Sequence, residues 1–194
     1  MKKNIVFIGM PAVGKSTVGI VVAKRLGMRF IDTDLLIQEQ EGKLLREIIA
    51  EKGEEGFLEI ENQVNASVKA QNSVISPGGS VIYCKDAMKH YKKIGTIVYL
   101  KASYQTIKRR IRNPKKRGVV LKEGQSLRDL YYERVPYFEK YADITVCEDG
   151  CRIEDTIKNV LNAVKKYRKT TEFRKKLDNE AKRKSCGTAV KKQF

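Results

Sequence analysis

The stretch IGMPAVGKSTVG, Ile8 to Gly19, constrains this chain more than any other part of it. Gly9, Gly14, Lys15 and Ser16 occupy the four fixed places of G-x-x-x-x-G-K-[ST]. Ahead of the pattern lies NIVFI, a short apolar run with the character of a buried strand, and behind it TVGIVVAKRL has the spacing of an amphipathic helix. Strand, glycine loop and helix follow one another in the order a phosphate cradle needs. The glycines let the backbone turn its N–H groups inward, and the helix N-terminus adds about half a positive charge. On this reading Lys15 reaches the β- and γ-phosphates of a nucleotide, and Ser16 turns its hydroxyl to Mg²⁺.

A chain of 194 residues suits one domain with a good core. No run approaches the ~18 apolar residues of a membrane span, and the N-terminus lacks the apolar stretch of a signal peptide. Four cysteines, Cys84, Cys147, Cys151 and Cys186, form no C-x-x-C pair, and His90 is the one histidine. That set is too sparse for a zinc site of usual spacing, and free thiols in a reducing cytoplasm are expected. The formal net charge of +17 is uneven: residues 165–194 hold 12 Lys/Arg and 3 Asp/Glu, a net of +9. Few large apolar residues accompany that charge, so a flexible, solvated or partly helical tail over 169–194 is expected, and it is the one place where a nucleic acid could bind.

The first 165 residues alternate strand and helix signals. Strands are expected at Asn4–Ile8, Arg29–Asp32, Ser73–Ser76, Thr96–Leu100 and Asp143–Cys147, with the longest helices around Glu54–Ala70 and Ser126–Tyr141. Five short apolar strands separated by helices imply an α/β fold whose parallel sheet is covered on both faces. RNPKKRGVVLKEGQ, Arg112 to Gln125, interrupts that pattern with a long charged loop of the kind that forms lids. FIDTD ends the second strand with Asp32 and Asp34, which share one side of an extended chain at the ligand-binding edge of such sheets; Asp34 could instead, or also, N-cap the next helix. ISPGGS, after the third strand, offers adjacent glycines against which a ligand can approach the backbone.

Together with GEEGF and Glu61, RGVV and ERVPYFEKYADITV, these stretches resemble the shikimate kinases over roughly residues 3 to 165. The resemblance implies a three-layer α/β/α P-loop kinase with a five-stranded parallel sheet in order 2-3-1-4-5. It implies a kinase domain over 1–168, with an acceptor-binding region at about 33–61 and a lid at about 112–124. It further implies ATP-dependent transfer of the γ-phosphoryl group to a hydroxyl of a small carboxylated metabolite, with shikimate giving shikimate 3-phosphate for aromatic amino-acid biosynthesis. Carried over by position, Ala12, Val13, Gly14, Lys15, Ser16 and Thr17 hold the phosphates, and Ser16 ligates Mg²⁺ with Asp32 acting through water. Asp34 binds the acceptor's hydroxyls and assists deprotonation, Gly78 and Gly79 lie against the acceptor, and Arg134 pairs with its carboxylate. Arg117 swings in with the lid, and Arg110 packs on the adenine. A cytoplasmic monomer without membrane contact is expected.

Two positions depart from the family pattern. Leu58 stands where F-R-x-x-E has its arginine, and Ser80 stands for the third of three glycines. Two alternatives therefore stand beside shikimate: a paralogue acting on another hydroxylated metabolite, and a nucleotide-binding protein that uses its basic tail on RNA.

Overall fold

The computed structural model describes residues 3–111, 119, 121, 122 and 124–189, with side chains as far as residue 174. Five strands, β1 Asn4–Ile8, β2 Arg29–Asp32, β3 Ser73–Ser76, β4 Gly95–Lys101 and β5 Ile144–Cys147, form one sheet in the order β2-β3-β1-β4-β5. All four pairings are parallel, with Ile5 opposite Val74 on one side of β1 and Thr96 on the other. The three-layer α/β/α architecture expected of the sequence is the one observed. β1 is wholly buried because helices cover both faces, which is why it reads as an unbroken apolar run rather than an alternating one.

The helices are α1 Lys15–Leu26, α2 Thr33–Glu41, α3 Leu45–Ser67, α4 Lys85–Ile94, α5 Tyr104–Arg110, α6 Leu127–Tyr141 and α7 Ile153–Ala189, with a 3₁₀ turn at Val81–Tyr83. α1 and α7 touch one another and the sheet on one side; α3 and α4 pack together, α4 against β4. Most of the core is a single cluster built from the strands and the helix faces that meet them. A smaller cluster of Ile37, Ile48, Phe57 and Val64 joins α2 to α3. α3 is bent at Gly53, whose φ of 71° and ψ of −175° lie in a region open essentially to glycine alone.

Strand ends were legible to within a residue. β4 gains Gly95 and Lys101, and β5 begins one residue later than expected because the Asp143 carboxylate turns to accept the Ile97 N–H at 2.9 Å. α7 differs more. Its core face is Thr156, Ile157, Val160 and Val164, and the helical backbone continues without a break to Ala189. No described helix is long and apolar enough to cross a membrane.

Candidate active site

Parallel strands leave their C-terminal ends at one edge of the sheet, and there the loop after β1 meets the ends of β2 and β3. Gly14 is the N-cap of α1, with φ of 109° and no side chain to occupy the first-turn N–H groups, so these donors remain open to an anion. Lys15 lies folded over the loop, its ammonium donating to the carbonyls of Gly9 at 3.0 Å and Met10 at 3.3 Å. Burial, with the charge of Arg134 nearby, holds that ammonium down to about 8 despite Asp34 and Asp32. Ser16 Oγ donates to Asp32 Oδ2 at 2.8 Å and shares a 3.3 Å hydrogen bond with Ser76 Oγ.

The two carboxylates after β2 divide their work differently from either sequence-level expectation. The chain does not stay extended through FIDTD, because α2 starts at Thr33. Asp32, not Asp34, is the N-cap, and its Oδ1 accepts the Asp34 N–H at 3.1 Å. The Asp34 carboxyl is thereby left for the cavity beside the glycine loop. Burial and the neighbouring Asp32 charge push it up to about 6.

That cavity, of 260 Å³, is lined by Ala12, Gly14, Lys15, Ser16 and Thr17 on one side and by Asp34, Glu61, Gly78 and Gly79 on the other. Leu45, Phe57 and Val119 give it an apolar wall. Of the other expected site residues, Val13 turns its side chain into the core and offers only its backbone. Arg110, at the end of α5, reaches back to that backbone, donating to Val13 O at 2.8 Å and to Glu148 Oε2 at 2.7 Å. Arg134 on α6 is 2% exposed, its guanidinium 5.4 Å over the Tyr83 ring and its Nη1 3.1 Å from where a Cβ on Gly79 would stand. Its Nε has no partner. Arg117 and most of the expected lid at about 112–124 lie outside the described residues, which include Val119, Leu121, Lys122 and Gly124 of it.

Two acidic residues near the site escaped the reading of functional residues. Glu61 is fully buried on α3, and burial pushes its carboxyl up to about 7, with the Asp34 charge adding to the rise. The signal was available: Phe57, Glu61 and Val64 recur at helical spacing, so a carboxylate sits on an apolar stripe where no solvated glutamate belongs. Glu148, after β5, is 4% exposed and anchors Arg110. Leu58 behaves otherwise than its position in the pattern suggests. Its side chain packs on the main core and takes no part in lining the cavity, where Lys15 is the only cation among the described residues.

Known proteins resemble this chain over the same region. The family described as shikimate kinase matches residues 11–165. A shikimate kinase of Sulfurihydrogenibium sp. (strain YO3AOP1) is 33% identical over 165 residues, covering 84% of this chain and 99% of that protein. The structure of the shikimate kinase from Acinetobacter baumannii in complex with shikimate superposes with a TM-score of 0.75 at 29% identity, over 84% of this chain and 92% of that one. Threonine synthase-like 1 of Homo sapiens is 37% identical over 168 residues, which make up 85% of this chain but 23% of that larger protein.

Proposed function

The chain belongs to the shikimate kinase family of ATP-dependent phosphotransferases, and from that premise we propose that it transfers the γ-phosphoryl group of ATP to the 3-hydroxyl of shikimate. One observation carries the reading: a single cavity is walled by the phosphate loop on one side and by Asp34, Gly78 and Gly79 on the other. Donor and acceptor are thus brought within one enclosure, and positioning with charge stabilisation supplies most of the catalysis in phosphoryl transfer.

In this reading the open amides of Ala12 to Thr17 hold the β- and γ-phosphates. The Lys15 ammonium moves from the Gly9 and Met10 carbonyls to the phosphate oxygens, where charge accumulates in the transition state. Asp34, already raised towards neutrality, accepts the proton of the attacking hydroxyl as its oxygen bonds to phosphorus and the bridging oxygen leaves with ADP. Arg134, buried and with a free Nε, pairs with the acceptor's carboxylate, and Arg110 flanks the adenine. Arg117 closes over the phosphates with the lid at 112–124.

The donors fit Mg²⁺: a hydroxyl and a carboxylate 2.8 Å apart, Ser16 Oγ and Asp32 Oδ2, sit beside the phosphate cradle. Mg²⁺ characteristically takes one or two protein oxygens together with phosphates and water, so Ser16 would ligate it directly and Asp32 through water. When bound it neutralises charge on the phosphates. The expected setting is a monomer in the cytoplasm.

The test is coupled ADP release with shikimate, followed by mass identification of shikimate 3-phosphate. Folded Lys15→Ala should lose this activity almost entirely, by about a hundredfold or more. Unimpaired turnover in that variant rejects the ATP site. A second reading, another hydroxylated metabolite as acceptor, is favoured by Leu58, which leaves the cavity without the expected arginine. Turnover of a different polyhydroxy acid, with none of shikimate, would select it.

A further inference from the structure

Glu61 is the one group in the cavity that the proposed reaction does not use, and its setting is unusual. It is 0% exposed, yet Oε1 has no hydrogen-bond partner. Oε2 has only the weak donor Cys84 Sγ, at 3.9 Å. A buried carboxyl left so poorly satisfied is expensive unless something that enters the site completes it. The helix holding it is fixed from behind: Asn65 Nδ2 donates to the Glu61 carbonyl at 2.6 Å, and the Tyr91 hydroxyl donates to Asn65 Oδ1. One turn earlier on α3, Leu58 is packed in the core, so no cation reaches Glu61 from its own helix.

The direction of Oε1 is set by Gly78. A Cβ built on that residue would lie 2.5 Å from Glu61 Oε1 and 2.9 Å from Asp34 Oδ1. Two carboxyl oxygens therefore converge on one point above a bare backbone, and both carboxyls line the cavity. Asp34 belongs to the hydroxyl that is phosphorylated. A ring carbon resting on Gly78 then presents its neighbouring substituent to Glu61.

We propose that Glu61 binds the acceptor directly, accepting at Oε1 a hydrogen bond from the hydroxyl adjacent to the phosphorylated one, so that the site selects a vicinal diol. The inference rests on the small-molecule kinase reading above and deepens it. A hydroxyl suits the position better than an ammonium. Lys15 and Arg134 already face Glu61 with positive charge, and Asp34, Cys84 and the Ser80 hydroxyl complete its surroundings without leaving a site that requires a further cation.

The test pairs enzyme and substrate changes in the full chain. Glu61→Met removes both oxygens at similar volume, and Glu61→Gln keeps one acceptor. Each is measured with shikimate and with 4-deoxyshikimate, which lacks the adjacent hydroxyl, alongside nucleotide affinity and Tm. For shikimate, Glu61→Met should lower kcat/KM about tenfold or more, mainly through KM, and Glu61→Gln severalfold. For the deoxy acceptor both losses should shrink to within about twofold, with nucleotide affinity unchanged. Equal losses on the two acceptors would overturn the proposal, because Glu61 would then act only on the fold of the site. Should Glu61→Met fail to fold, the Glu61→Gln pair decides by the same comparison. If the parent ignores shikimate, the acceptor named above is wrong, and the cycle is run on whichever polyhydroxy acid it phosphorylates. An acceptor lacking a hydroxyl beside the phosphorylated one, or no turnover of any polyhydroxy acid, overturns the role of Glu61.

Discussion

Lys15 and Asp34 need opposite charges in one low-dielectric cavity, and burial works against both. Burial holds Lys15 down to about 8 and pushes Asp34 up to about 6. The sign of the pH dependence follows. Asp34 gains its proton-accepting form as pH rises through about 6, whereas Lys15 loses its ammonium as pH passes about 8. A bell-shaped kcat/KM for ATP with limbs near those values is expected. Bound phosphates favour the ammonium, so the alkaline limb of kcat should move upward. A profile flat from pH 5 to pH 9 would show that neither group titrates in catalysis. Leu58 raises the complementary question. The sequence identifies the substitution, but not that the leucine side chain joins the core rather than the cavity wall. Leu58→Arg would carry a guanidinium towards Glu61, three residues on along α3. Shikimate kcat/KM should rise about tenfold, mostly through KM, if that side chain supplies a second clamp on the carboxylate. The same change should weaken the preference for a vicinal diol by engaging Oε1. A fall in shikimate kcat/KM with Tm retained would mean that Arg134 and its neighbours already complete the clamp.

At the scale of elements, legibility followed burial. β1, β2 and β3 end where expected because each is a short apolar run closed by a loop residue with a clear role, and a strand buried on both faces has little freedom of length. The α1 start was legible for the same local reason, its glycine N-cap. The division of labour between Asp32 and Asp34 was not, since it turns on whether the chain is extended or helical at Thr33. Nor was the bend in α3. GEEGF reads as an ordinary polar start, yet Gly53 breaks the helix so that Phe57 and Glu61 enter the cavity while Ile48 stays with Ile37 in the smaller cluster. Gly53→Ala places a side chain in a backbone region that costs about 1–3 kcal/mol for other residues. Tm should drop by several degrees on calorimetry. Because the strain sits in the acceptor-side helix, acceptor KM should rise while nucleotide affinity holds. A variant as stable as the parent would show that α3 straightens without penalty.

The whole molecule joins a compact kinase domain to a helix longer than the domain needs. Its core-facing residues along α7 stop at Val164; past it, Arg168 donates to the Lys3 carbonyl at 3.3 Å, and most of the following side chains are exposed, Phe173 among them. Stability should therefore be confined to the part of α7 that touches α1 and β5. Residues 170–194 add 8 Lys/Arg against 3 Asp/Glu, so their charge is better suited to polyanion contact than to packing. We expect a chain ending at Lys169 to keep its Tm within about 2 °C and its shikimate turnover within about twofold. Its retention on heparin should fall, and a salt titration of RNA binding should lose slope in proportion to the cations removed. Comparing the two chains by calorimetry and by salt-dependent binding separates the contributions. A large drop in Tm on truncation would show instead that residues 170–194 pack on the domain and belong to its fold.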